Sequence, residues 1–365
     1  MFKIFNYEPD IKKEDIEKVV NCLELGIANP IHISNLETSL EERFKINSTT
    51  CSSGTAALHL SLVALGVGPG DEVICPNYTF AATWNVIAYV GATPVFADIC
   101  DTTWCIDPDS IERKITNKTK AILTVDLFGN PCDYEKIKKI CEKNRIYLIQ
   151  DCAESLGSNF QNKSVLRAGD VSCTSFNLNK VITSAGGGLV ASENDSLLRI
   201  IKNLKNQNKK QNEYDYHGMG FNYRMSSINA ALLDSQLNRF EEILNRKSKI
   251  DKIYRDRLTS DVISFQEITS DSSSNNWVTV IELKTPAIRN HIQNYLIKNG
   301  VEVKRTFKPA TSIGWIQDRY ELTLGNIASR VYERSLILPS SPKLSDFDVG
   351  FICDMTEKVL RGKYL

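Results

Sequence analysis

Lys180 closes the stretch SFNLNK, residues 175–180. Ahead of it Val171-Ser172-Cys173-Thr174 reads as a short buried strand. Behind it Thr183-Ser184-Ala185-Gly186-Gly187-Gly188 is too rich in glycine for a helix. A lysine between a strand end and a glycine run is not on an ordinary solvated face. In a largely desolvated pocket it gives up its proton more easily and can form a Schiff base. Asp151 ends the run IYLIQD, where a carboxylate can keep a pyridine-type ring nitrogen protonated. Ser175 offers a hydroxyl, and CSSGTAALHL (51–60) offers small residues followed by a helix start, whose backbone N–H groups suit a phosphate. Phe80, in PNYTFAAT, opens the next helix and can stack on a flat ring. These are fittings for pyridoxal phosphate. Each residue also has a plainer reading: Lys180 as a snorkelling lysine, Asp151 as a helix cap, Phe80 as core, and SSGT as a capping turn.

The elements that must position these residues alternate. Residues 11–24 form an amphipathic pattern, with Ile11, Ile16, Val19, Val20 and Leu23 on one face. Residues 55–65 predict a buried, nearly all-apolar helix, followed by the turn GVGPGD and a strand at 72–75. Helices at 80–90 and 133–144 then alternate with strands at 93–98, 121–126 and 146–151. This rhythm predicts a mostly parallel sheet with helices on both faces, and ligand sites at the carboxyl ends of its strands. Asp98, Asp126 and Asp151 each fall at such an end. Beyond residue 190 the pattern changes: a helix at 195–207, one long helix at 226–259, the polar break DSSSNN (271–276), the strand WVTVIEL, a helix at 286–299 and the strand VEVKRT. The expected division is a large cofactor-binding domain over 1–240 and a small α+β domain over 241–365.

Composition narrows the function classes. The chain has 365 residues, 42% hydrophobic and 24% charged, with 44 basic and 44 acidic side chains. Zero net charge argues against a global nucleic-acid or anionic-membrane footprint. No apolar run reaches the length of a membrane span, and the N-terminus turns charged too early for a signal peptide. The ten cysteines form no C-x-x-C pair and are expected as reduced thiols in a cytoplasmic protein, with no metal site.

SGTAALHL, PNYTFAAT, GATPVFAD, QDCAESLGS, SFNLNKVITSAGGG and GFNYRMSSINAAL stand in one order along nearly the whole chain. Together they resemble the DegT/DnrJ/EryC1/StrS family of pyridoxal-phosphate aminotransferases acting on nucleotide-linked keto sugars. The resemblance implies the type I aminotransferase fold: a large α/β domain with a mostly parallel mixed sheet and a small C-terminal α+β domain. It implies that Lys180 bonds the cofactor and moves the proton, and that Asp151 pairs with the ring nitrogen. It places Glu154 near the phenolic oxygen, Phe80 on the ring, and Ser175, Gly54 and Thr55 around the phosphate. It implies a homodimer with shared sites, in which Asn222 of NYR reaches the other subunit's phosphate. Arg224 and Arg305 are the weaker substrate candidates. The implied reaction is ping-pong transfer from an amino acid, glutamate in the family, to the keto sugar.

The sequence departs from the family at two places. T-S-A-G-G-G replaces T-T-G-E-G-G, so an acid is lost at Gly186. RTFKPAT is one residue shorter than R-P-x-W-K-P-x-H and carries Thr311 near the histidine position. NK-x-x-T resembles the branch that aminates C4 of a 4-keto-6-deoxy sugar, for cell-surface glycans; the alternative is the C3 branch. A 3-dehydratase of the same fold has histidine in place of the lysine. A non-catalytic regulatory member would not need Lys180, Asp151 and Ser175 intact. GVGPGD precedes a strand rather than following one, which argues against a nucleotide-binding oxidoreductase.

Overall fold

The computed structural model describes residues 2–210, 214–320, 322 and 325–362. Its centre is a seven-stranded sheet. The order across it is Ser48–Cys51, Gly188–Ala191, Val171–Ser175, Tyr147–Asp151, Thr119–Val125, Glu72–Pro76 and Thr93–Ala97. Gly188–Ala191 runs antiparallel to both its neighbours; the other pairs are parallel. That strand was not read from the sequence, because four residues after a glycine run carry no periodicity. The expected α/β architecture is therefore present, with one strand reversed.

The strand interiors are continuous buried apolar runs, such as Ala121, Ile122 and Leu123, as a sheet covered on both faces requires. Helix Gly54–Ala64 is buried along almost its whole length, as its composition predicts. Two other parts differ from expectation. The long helix breaks at Arg239 into Ser227–Asn238 and Phe240–Arg257. No glycine or proline marks the break, but Arg239 there holds the N-terminal segment, donating to Asp10 Oδ2 at 2.7 Å and to Asp15 Oδ2 at 2.9 Å. VEVKRT is not a ladder strand; it is an extended segment bridged at Val301 to Ile4 and at Lys304 to Ile337. The expected amphipathic helix is present as Lys13–Leu25; it buries Asp15 and Cys22, while Ile11, Ile16, Val20 and Leu23 are 40%, 58%, 44% and 53% exposed. Its apolar face points outward because its polar Asp15 is the residue Arg239 and Gln236 claim.

A second core gathers Ile250, Tyr254, Ile281, Leu296, Leu336 and Ile352 around the antiparallel sheet Ile263–Phe265, Thr279–Leu283, Ser335–Leu338. Helices Phe240–Arg257, Pro286–Lys298 and Asp346–Arg361 supply its other walls. The chain's first residues also join this unit: the Asn6 N–H donates to Glu302 at 2.9 Å. The polar break at 271–276 crosses back to the large sheet's side. Asn275 Nδ2 donates to the carbonyls of Glu154 and Leu156, both at 2.9 Å. Its Oδ1 lies so close to Gly129 that a Cβ built there would stand 2.1 Å away, and Gly129 has φ +94°. Only glycine permits that crossing. All ten cysteines are unpaired, nine of them buried. Among the described residues no helix is long and apolar enough to cross a membrane.

Candidate active site

A cavity of about 420 Å³ opens at the carboxyl ends of the central strands. Lys180, Asp151, Glu154, Ser175, Gly54, Thr55 and Phe80 all line it, so seven of the ten sequence-derived site residues meet in one place. Asp151 is the last residue of its strand. Ser175 ends the neighbouring one, and Lys180 follows in the turn that reverses the chain into Gly188–Ala191.

The helix Gly54–Ala64 points its N-terminus into this space. Ser53 caps it, accepting the Ala56 N–H at 3.0 Å. The N–H groups of Gly54 and Thr55 precede that turn, where no intrahelical carbonyl reaches them. Backbone N–H groups at a helix start and the helix dipole make this end suitable for a phosphate. A Cβ on Gly54 would sit 2.8 Å from the Ser175 Cβ, so glycine is what lets helix and strand end converge.

The Asp151 carboxylate is held at both oxygens: Oδ1 accepts the Ala153 N–H at 3.1 Å and Oδ2 the Thr83 hydroxyl at 3.2 Å. It caps a local turn and also faces the cavity. Glu154 Oε2 accepts the Phe128 N–H at 2.8 Å, and its Oε1 lies 4.0 Å from Lys180 Nζ. The Lys180 ammonium also stands 4.4 Å from the centre of the Trp277 ring. Burial pushes the lysine below its ordinary range, against the pull of Glu154 and Asp151. Burial likewise raises Asp151, and raises Glu154 to about 7, with Lys180 opposing both. A lysine eased toward its neutral form beside two carboxylates is equipped to bind a carbonyl and to exchange protons.

The shift at Glu154 has a measurable sign. Its folded value lies above its unfolded one, so its contribution to stability is complete below about pH 4.5 and is lost as pH rises to about 7. The cofactor-free Glu154→Gln variant should lack that loss, on the order of 3 kcal/mol. Denaturation across pH 4–8 measures it; parallel curves for the two proteins would refute it.

The remaining three candidates lie elsewhere. Asn222 and Arg224 are exposed and do not line their own chain's cavity. Arg305 does not reach it either: its guanidinium stacks on Tyr332 at 3.8 Å and donates to the Tyr332 carbonyl at 3.1 Å. Of the other strand-end acids, Asp126 is a buried acceptor for Tyr134, Ser155 and the Cys132 N–H, and Asp98 accepts the Gly325 N–H at 2.8 Å. Gly186 lines the cavity, and the nearest atom to a Cβ built there is Asn229 Nδ2 at 3.9 Å, so the wall is open where the acid is lost. Thr311 donates its N–H to Asn77 at 3.1 Å, outside the cavity.

Sequence reasoning missed Trp277, Phe307, Thr79 and Asn179, which also line the cavity. Trp277 opens WVTVIEL and was read only as strand. A tryptophan directly after a serine- and asparagine-rich break was the available signal.

Residues 9–357 match the model of the DegT/DnrJ/EryC1/StrS aminotransferase family. The chain belongs to that family. It is 35% identical over 361 residues to the GDP-perosamine synthase of Escherichia coli O157:H7, covering 98% of each chain. It is 30% identical over 313 residues to the UDP-N-acetyl-3-dehydro-alpha-D-glucosamine 3-aminotransferase of Acidithiobacillus ferrooxidans, covering 86% of this chain and 84% of that one. The PLP form of the putative sugar aminotransferase Spr1654 from Streptococcus pneumoniae superposes with a TM-score of 0.93 at 30% identity, covering 98% of both chains. The DegT/DnrJ/EryC1/StrS fold thus extends over the whole length on which the site depends.

The cavity passes a chemical fit test for pyridoxal phosphate. It presents one amine for an aldehyde, a helix start and a hydroxyl for a phosphate, one anchored carboxylate for a ring nitrogen, and aromatic walls at Phe80 and Phe307.

Proposed function

We propose that this aminotransferase uses pyridoxal 5′-phosphate to move an amino group from an amino acid, glutamate by preference, to C4 of a GDP-linked 4-keto-6-deoxy sugar. The observation that carries the chemistry is the meeting of Lys180, Asp151, Glu154 and Ser175 with the Gly54 helix start in one cavity. The bound cofactor supplies an aldehyde for amines and a ring that accepts electrons. Gly54, Thr55 and Ser175 hold its phosphate end. Asp151, anchored by Thr83 and Ala153, keeps a proton on the ring nitrogen. Lys180 takes the proton from the donor's α-carbon and returns one to the sugar carbon. Trp277 and Phe307 shield that exchange from water.

The choice of sugar rests on the 35% identity to a GDP-perosamine synthase over the full length. The 30% relative named as a UDP-sugar 3-aminotransferase keeps C3 as the second reading. The deciding experiment supplies GDP-, UDP- and dTDP-linked keto sugars with glutamate and reads the product by mass and NMR. An amine at C4 of the GDP sugar is the expected result; an amine at C3, or exclusive use of a UDP sugar, replaces the proposal. We place the enzyme in the cytoplasm, where nucleotide sugars are made.

The functional unit is a homodimer with shared sites. Support comes from an unfinished rim. Phe80 and Leu178 line the cavity yet are 59% and 55% exposed. Leu25, Ile27 and Ile31 stay 68%, 56% and 47% exposed beside the helix Ser227–Asn238. A second copy would cover such apolar surface and bring Asn222 to the phosphate of the other site. Mixing Lys180→Ala chains with Asn222→Ala chains should then restore activity. One site of the mixed dimer carries both lesions and the other carries neither. Proven subunit exchange without recovery would show that each chain builds its own site.

A further inference from the structure

Lys247 lies on helix Phe240–Arg257, outside the cavity, and is 1% exposed. Among the described residues no carboxylate pairs with it. Its Nζ donates to the carbonyls of Trp277 and Ser340, each at 2.9 Å, and lies 5.4 Å from the centre of the Tyr7 ring. Burial alone pushes its ammonium down to about 7. The two N–H groups of the neutral amine match the two carbonyls, and the extra one of the ammonium meets the ring face. An unpaired buried ammonium is costly, and a methionine would fill the same space without that cost. Filling space is therefore not a sufficient reason for a lysine here.

What Lys247 holds leads to the catalytic lysine by two routes. Trp277, fixed through its carbonyl, donates its indole N–H to the Asn179 carbonyl at 2.6 Å and turns its ring face to Lys180 Nζ at 4.4 Å. Tyr7, whose ring meets Lys247, donates its hydroxyl to the carbonyl of Lys180 itself. One ammonium thus braces the two side chains that clamp residues 179 and 180.

We infer that Lys247 is a positioning residue that sets where the Lys180 amine stands, acting through Trp277 on one side and Tyr7 on the other. The inference rests on Lys180 being the cofactor-binding lysine. The Trp277 ring favours the charged form of Lys180. If its brace is loosened, Lys180 loses its proton at lower pH and its amine wanders from the reacting atoms.

The test uses full-length Lys247→Met and Tyr7→Phe. Cofactor-free protein is mixed with pyridoxal phosphate, and the rate of capture is followed by absorbance as a function of pH. The charged groups facing the Lys180 amine, Glu154 and Asp151, are the same in all three proteins. Both variants should move the midpoint of capture to lower pH, by about half a unit or more. With sugar and donor present, kcat should fall about tenfold or more while KM changes little. A folded Lys247→Met protein with an unmoved midpoint and a near-normal kcat overturns the inference, whatever its melting temperature. Should Lys247→Met fail to fold, Lys247→Gln, which keeps a polar head but is too short to hold both carbonyls, takes its place: a lower midpoint supports the brace and an unmoved one overturns it, while Tyr7→Phe reports on the Tyr7 arm. Borohydride reduction and peptide mapping of the wild type separate the two levels. Cofactor fixed on Lys180 with unmoved midpoints defeats only the brace; cofactor fixed elsewhere defeats the reading of the site.

Discussion

Lys180→Ala abolishes amino transfer, lowering turnover by at least about four orders of magnitude. Among the described residues no other amine lines the cavity, so neither the bond to the cofactor nor the proton exchange has a substitute there. The fold survives, because Lys180 belongs to a turn and not to the packed strands on either side. A second signature accompanies the loss. Lys180 is the cation that opposes the burial of Glu154 and Asp151. Without it, Glu154 keeps its proton to still higher pH, and the variant's stability falls more steeply than the wild type's as pH rises beyond about 7. Turnover within tenfold of wild type removes Lys180 from the mechanism.

Asp151→Asn lowers the rate by about three orders of magnitude, roughly 4 kcal/mol of lost transition-state stabilisation. The substitution keeps shape and volume, and the amide oxygen can still accept the Ala153 N–H now taken by Oδ1. The amide has no charge to hold a proton on a ring nitrogen, so the loss is electronic. The variant should therefore bind the cofactor, though more weakly, and fail at the first half-reaction. Single-turnover conversion of bound cofactor by glutamate isolates that step. A near-normal rate there reduces Asp151 to the turn cap that its bonds to Ala153 and Thr83 also describe.

The residues with the clearest place in the sequence were those fixed by the sheet. A carboxyl-end aspartate, a strand-end serine and a glycine-led helix start are local patterns, and the cavity contains all three. Lys180 was legible because it lies between two such patterns. The walls contributed by distant segments were not. Trp277 reaches Lys180 only because Asn275 crosses over Gly129, a contact between residues 146 apart that no periodicity encodes. The surroundings of the first helix were illegible for a related reason. Its apolar spacing correctly predicts an amphipathic helix, but a stripe of isoleucine and leucine does not say whether it faces the core or a partner. The break at Arg239 depends on where Asp10 and Asp15 come to lie, which again is tertiary information.

The crossing at 271–277 also orders events during synthesis. The chain emerges from its N-terminus, so the strands, the phosphate-binding helix end and Lys180 are all made well before Trp277 and Ser340. Until those arrive, Lys180 has no indole facing it, Asn179 lacks its donor, and Lys247 has neither of its two carbonyl partners. The cavity is thus closed by the last quarter of the polypeptide, and a nascent chain stalled before residue 277 would expose its reactive amine to any aldehyde in the cell.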